Sequence, residues 1–243
     1  MCYGQRYTIA VTWVQRHEKM VVVLRRLLAK IREIKLKIRY VLLDRAFFNL
    51  PVIQFLQTEQ LPFLMPVMFR GRPPKKRRPT TGLRWIKQQK AGWHAHTLKN
   101  RHQQATIKVC VAYRTHKNRK DRKRVQQKLL FAAWRMSGSP ADIRERYRQR
   151  FGIESSYRQM RQARIYTSTR NPRLRLLFVV VALILRNLWV WLHAEHLGDG
   201  RGESLTVRLE RLRFKRMLDW IAHIVVTLLH DGSTPYVDLE GTS

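Results

Sequence analysis

Apolar positions along the first 70 residues alternate between two periods. "RYTIAVTWV", residues 6–14, is rich in β-branched and aromatic residues and predicts a strand. "EKMVVVLRRLLAKIREIKL" places apolar residues at helical spacing with a basic outer face, which predicts an amphipathic helix. "KIRYVLLDRAF" holds a short apolar run, Ile38 to Leu43, that stops abruptly at Asp44. "NLPVIQFLQTEQ" reads as a helix, with Asn49 near its cap and Pro51 in its first turn. "LPFLMPVMF" predicts a further strand, edge-like or bulged because of its two prolines. The order β-α-β-α-β argues for an α/β sheet with helices packed on it.

From Arg70 the pattern changes. "RGRPPKKRRP" is a basic, proline-rich loop. Short strands are predicted around "GWHAHTL", "ATIKVCVAYR" and "KLLFAAW", with the basic run "RTHKNRKDRKR" between the last two. Residues 70–138 therefore read as a small β-rich insertion with two positive loops. At "SGSPADIRERYRQRF" a helix begins, with Ser139 as cap, Pro140 at the first position and Asp142 in the first turn. The apolar segment over 174–192 has an uncharged run, Leu176 to Leu185, bracketed by Arg175 and Arg186. A membrane span needs roughly twenty apolar residues, so a buried core helix over 174–193 is expected instead. A Gly-rich break at 198–202 and an amphipathic helix over about 204–230 complete the chain. Four segments result: a partial core over 1–69, the insertion over 70–138, a helical completion of the core over 139–193, and a helix with a tail over 194–243.

Charge narrows the function. The 243 residues include 49 Lys and Arg against 16 Asp and Glu, a formal net charge of +33. Such a chain repels itself in isolation, so a polyanionic partner is implied, nucleic acid first and an anionic membrane surface second. A hydrophobic content of 44% excludes a disordered basic tail. Cys2 and Cys110 are too few and too far apart for a disulfide scaffold or a zinc knuckle, and they fit a reducing cytosol.

The candidate chemistry lies in "YRQRFGIESSYRQMR", Tyr147 to Arg161, where Glu154 is a lone carboxylate among arginines. On a straight helix turning about 100° per residue, Tyr147, Arg150, Glu154 and Arg161 share one arc of about 60°. Arginine forks suit phosphate and a carboxylate suits a metal ion, so this face reads as a phosphate and metal site. Gly152 is the point at which that helix would kink. The His-x-His pair of "WHAHTLKNRH" has no Cys or carboxylate beside it and is a weak metal candidate. Trp85 and Trp93 lie in the insertion, where packing within a small β subdomain is the plain alternative to base stacking.

Tyr147, Arg150, Glu154 and the basic Arg161, with two, three and six residues between them, resemble the Tyr-Arg-Glu-Lys signature of bacterial DDE transposases. That signature marks the broad insertion sequence four group. Arg161 departs from it, standing where Lys is usual. "YVLLDRAFFN" is similar to the family's apolar strand ending in Asp-Arg-x-Phe, in which the Asp is the second catalytic carboxylate. The resemblance extends from about Arg6 to His193. It implies an RNase H-like mixed sheet with flanking helices, interrupted by a small β-rich insertion, followed by a helical C-terminal region. It implies Asp44 and Glu154 as catalytic metal ligands for two Mg²⁺ ions, with Mn²⁺ as a substitute. Tyr147, Arg150, Arg161, Tyr157 and Arg45 become phosphate contacts, and Trp85 or Trp93 a base-stacking aromatic. Double-stranded transposon ends are the implied partner, with a homodimer in a synaptic complex, in a prokaryotic cytoplasm at the nucleoid and away from membranes.

The family's first Asp belongs on the strand that opens the sheet. Before Asp44 the only acidic residues are Glu18 and Glu33, near or within the first predicted helix, and Glu18 is a poor substitute. The expectation is a chain that lacks the family's N-terminal part and the first strands of the sheet. It keeps two of three catalytic carboxylates and has reduced or no activity. The alternative is a non-catalytic DNA-binding remnant.

Overall fold

A computed structural model describes residues 6–69, 71–72, 80–117, 124–200 and 206–231. Cys2, most of the basic loop at 70–78, part of the run at 114–124 and part of the Gly-rich break fall outside these residues. The chain forms two compact units, one of Thr12–Phe151 and one of Met1–Val11 with Gly152–Ser243.

The unit Thr12–Phe151 is α/β. Its elements are α1 (Met20–Glu33), β1 (Val41–Leu42), α2 (Leu50–Thr58), β2 (Phe63–Pro66), α3 (Gly82–Ile86), β3 (Gly92–Lys99), β4 (Gln104–Lys117), β5 (Arg124–Trp134) and α4 (Pro140–Arg148). One mixed sheet runs β1-β2-β5-β4-β3, with β1 parallel to β2 and the other pairs antiparallel. Alternation along β4 and β5 gives the sheet two buried faces. Val109, Val111, Leu130 and Ala132 pack with Leu24, Leu28, Val52, Ile53 and Leu56 of α1 and α2. Cys110, Ala112, Phe131 and Ala133 pack with Ile143 and Tyr147 on the side of α4. This is the α/β class that the sequence predicts, and a mixed sheet with flanking helices accords with an RNase H-like fold.

Local signals explain the helices. The Asn49 side chain accepts from Val52 N at 3.0 Å and Pro51 sits in the first turn of α2. Ser139 Oγ accepts from Asp142 N at 3.2 Å while Asp142 Oδ2 accepts from Ser139 N at 2.9 Å, a complete capping box. Ser139→Ala should cost about 1 kcal/mol in urea denaturation of the chain, by leaving α4 N–H groups unsatisfied.

Several elements differ from the sequence pattern. The strand predicted over residues 6–14 does not form, because no neighbouring strand pairs with it among the described residues. Instead Thr8 N donates to Asn187 Oδ1 at 2.9 Å, Asn187 Nδ2 donates to Thr8 O at 2.8 Å, and Arg186 donates to Arg6 O. β2 is an interior strand between β1 and β5, not an edge. Its prolines are tolerated because Pro62 precedes the strand, offering its carbonyl to Val41 N at 2.8 Å, and Pro66 ends it. The strands predicted as an insertion do form, and they continue this same sheet through the β2–β5 pairing.

The second unit contains α5 (Gly152–Met160), α6 (Pro172–Leu192) and α7 (Phe214–Asp231). Trp189, Val190, Phe214 and Met217 form its apolar centre. Trp189 Nε1 and His193 Nε2 both donate to Leu212 O, at 3.0 and 2.9 Å, fixing the chain just before α7. Burial holds the His193 imidazole below its ordinary pKa, which keeps it neutral in this apolar setting. α6 is not the fully buried core helix that its composition predicts. Only Ala182, Leu183, Arg186, Trp189 and Val190 are buried along it. With its continuation to Leu197 it is long and apolar enough, by length and composition alone, to cross a membrane.

Candidate active site

Asp44 follows the strand β1, one residue beyond Leu43, where the apolar run meets a polar side chain. Its Oδ1 accepts from Arg45 N at 2.6 Å and so caps the short 3₁₀ turn Arg45–Phe47. Its Oδ2 pairs with Arg150 Nη2 at 3.1 Å. The two side chains differ in exposure, 16% for Arg150 and 54% for Asp44, so the cation is the more enclosed partner. Tyr147 stands behind them, only 6% exposed. Its hydroxyl donates to Leu43 O at 3.2 Å, and its ring lies 5.0 Å from that of Phe131. The Arg150 guanidinium is 6.0 Å from the centre of the Tyr147 ring. Tyr40 OH donates to Gln149 Oε1 at 2.8 Å, a further tie between the two motifs.

These contacts join segments about a hundred residues apart in sequence, "YVLLDRAFFN" and "YRQRF", at one end of β1. A guanidinium backed by a carboxylate and resting over an aromatic ring is held in a fixed orientation. Such a fork suits a planar pair of phosphate oxygens. Tyr147 and Phe131 serve by packing, and the Leu43 carbonyl anchors the tyrosine beside Asp44. Tyr40, Gln149 and Phe131 were missed by sequence reasoning. Tyr40 and Gln149 lie beside the motif residues, and that adjacency was the only available signal.

The remaining candidates are placed as follows. Arg45 is exposed in the turn that Asp44 caps. Trp85 lies on α3, 49% exposed. Trp93, on β3, donates through Nε1 to Gly138 O at 2.9 Å and packs against the apolar cluster beneath α4. Glu154, Tyr157 and Arg161 belong to the other unit. Glu154 lies in the first turn of α5, where a carboxylate complements the helix dipole, and it is exposed. Tyr157 is 57% exposed on the same helix, and Arg161 opens the 3₁₀ turn Arg161–Ala163.

The straight helix assumed from Pro140 to Arg161 is not what forms. α4 stops at Arg148, a 3₁₀ turn covers Gln149–Phe151, and α5 starts anew at Gly152. The shared arc computed for one helix therefore does not apply. Gly152 lies against Arg6: a Cβ added there would meet the Arg6 guanidinium. A side chain at 152 would therefore have to displace the end of the flexible Arg6 side chain.

Whether these residues could hold a divalent metal follows from their donors. Among the described residues no group of three or more His, Cys, Asp or Glu side chains is placed to hold an ion. Asp44 already accepts from Arg45 N and pairs with Arg150. Glu18 is taken by Arg26 at 2.7 Å and by Gln15 N at 3.1 Å, and the hydrogen bond from Arg26 holds its carboxyl below the usual range. His94 Nε2 lies 3.3 Å from Lys90 O, and burial holds His96 below its ordinary pKa. This donor set does not fit a complete two-ion centre. Cys110 is buried, and burial pushes its thiol up to about 11, so it is neither a ligand nor a nucleophile near neutrality.

Comparison with known families adds one finding. The model described as transposase DDE domain matches residues 4–188. No curated protein matches the chain.

Proposed function

Because this chain belongs to the transposase DDE domain family, we propose that it acts on DNA through the motifs around Asp44 and Glu154. The observation that carries this reading is the Asp44–Arg150 pair, which ties the two signature motifs together beside β1. Within the family we assign it to the insertion sequence four group. Its signature runs through Tyr147, Arg150 and Glu154, with Arg161 in place of the usual lysine. The partner is double-stranded DNA at transposon ends, held by two copies of the chain in a synaptic complex. The setting is the cytoplasm, at the nucleoid. Residues 70–138 act as a basic insertion that supplies β3, β4 and β5.

Each residue then has a chemical task. Arg150 binds phosphate through a fork kept in orientation by Asp44 and Tyr147. Arg45, Tyr157 and Arg161 add contacts along the strand, and Trp85, exposed on α3, is the aromatic available for a base. Asp44 and Glu154 are the two carboxylates that would face Mg²⁺, or Mn²⁺ in its place. Bound metal supplies charge stabilisation for phosphoryl transfer in such enzymes. With Glu18 committed to Arg26, the donors among the described residues fall short of the three carboxylates that this chemistry takes. The chain is therefore read as a transposase with reduced or no strand transfer. The second reading, a DNA-binding protein without turnover, is favoured by the same shortage.

The test is nicking of supercoiled DNA with Mn²⁺. Trace nicking at most is expected, and Asp44→Ala or Glu154→Ala should each abolish it. Nicking that survives both substitutions unchanged would sink the assignment of these carboxylates.

A further inference from the structure

Leu174, Leu177, Val181, Ile184, Leu188 and Trp191 are all exposed on α6. Their spacing along the helix is three, four, three, four and three residues. That is the heptad spacing of a helix seam, and it runs for about 25 Å. Ile184, near the middle, is 60% exposed, while Ala182, Leu183, Arg186, Trp189 and Val190 on other sides of the helix are buried. A continuous apolar stripe of this length is unusual on a soluble surface.

We infer that this stripe is the contact between two copies of the chain, pairing α6 with α6 of the second copy. Area supports a second copy. The six exposed side chains carry on the order of 500 Å² per copy, so pairing buries roughly 1,000 Å², where specific interfaces begin. Charge supports it as well. A chain with a net charge of +33 repels its own copies over most of its surface. Leu176 to Leu185 carries no ionisable group, and Arg186 turns inward to the Arg6 carbonyl. Antiparallel pairing keeps the two exposed Arg175 side chains about 25 Å apart, beyond the Debye length of about 8 Å in physiological salt.

A lipid occupant fits less well. The extended segment Arg6–Thr8 is bonded to Arg186 and Asn187 within α6. Irregular backbone of this kind has no place facing hydrocarbon, and an arginine in a span is costly. The pairing rests on α6 alone and stands apart from DNA binding.

Analytical ultracentrifugation of the DNA-free chain at tens of micromolar tests it. The wild type should show twice the mass of one chain, and the dimer should tighten from 0.1 to 0.5 M salt as self-repulsion is screened. Ile184→Glu should weaken pairing at least a hundredfold and leave single chains with unchanged far-UV circular dichroism. Val179→Glu, exposed but off the stripe, should leave the dimer intact. If Ile184→Glu loses helix, the uncharged Leu188→Gln takes its place and must still weaken the dimer. Single wild-type chains in 0.5 M salt overturn the proposal, as does a dimer indifferent to the stripe substitutions or one broken equally by Val179→Glu. Single chains that partition onto neutral phosphatidylcholine vesicles, with a blue-shifted tryptophan emission, also overturn it and assign the stripe to lipid.

Discussion

Affinity for a double-stranded oligonucleotide is expected to fall by roughly 10³ to 10⁵ between 50 and 200 mM salt, the loss typical of 6–10 phosphate contacts. The reason is counterion release. Each Lys or Arg that neutralises a phosphate frees a condensed cation, and this chain carries 49 Lys and Arg. Fluorescence anisotropy of a labelled duplex across that salt range gives the slope directly. Substituting one of the arginines proposed to contact phosphate, Arg150→Gln or Arg161→Gln, should lower the slope by about one and leave the others in place. Binding that is flat in salt would mean the positive charge serves some purpose other than DNA.

The second large effect concerns Tyr147. The sequence marks it as a phosphate contact of the signature, whereas in the structure it is buried against Phe131 with its hydroxyl bonded to Leu43 O. Tyr147→Ala should therefore cost about 3–5 kcal/mol of stability in the unit Thr12–Phe151, as cavities left by large aromatics do. Tyr147→Phe keeps the packing, loses one hydrogen bond and should cost only about 1 kcal/mol. Urea titration followed by tryptophan fluorescence separates the two. A Tyr147→Ala protein as stable as wild type, with DNA binding weakened, would return Tyr147 to a direct role at phosphate.

Local rules made much of the fold legible. Caps and prolines announce α2 and α4, since Asn49, Pro51, Ser139 and Asp142 act within a few residues of where they stand. Pairing is different, because a strand exists only where a partner does. Residues 6–14 have strand composition and form none, while β2 is flanked by Pro62, ends on Pro66 and still lies inside the sheet. The helix from Pro140 was legible at its start, while its interruption by the 3₁₀ turn Gln149–Phe151 before Gly152 was legible only as a possible kink at the glycine. Hydrophobicity could not tell a helix buried all round from one with an open seam, as in α6. At the site, motif order brought Asp44 and Arg150 under suspicion together, and the structure joins them. That Tyr147 turns its hydroxyl to a backbone carbonyl could not be read from a motif, which records residue type and not direction.

In the proposed function Asp44 and Glu154 face DNA phosphates. If they do, each carboxylate should repel the strand when no metal is bound. At an intermediate dielectric that repulsion is on the order of 1 kcal/mol, about fivefold in affinity. The decisive measurement is duplex affinity in EDTA for Asp44→Asn, Glu154→Gln and the pair together. Glu145→Gln, which removes a carboxylate paired with Arg148 at 2.8 Å and absent from the motif, serves as the control. The account predicts severalfold tighter binding for each motif substitution, more for the pair, and little change for the control. Unchanged or weaker binding after both motif carboxylates are neutralised would contradict it.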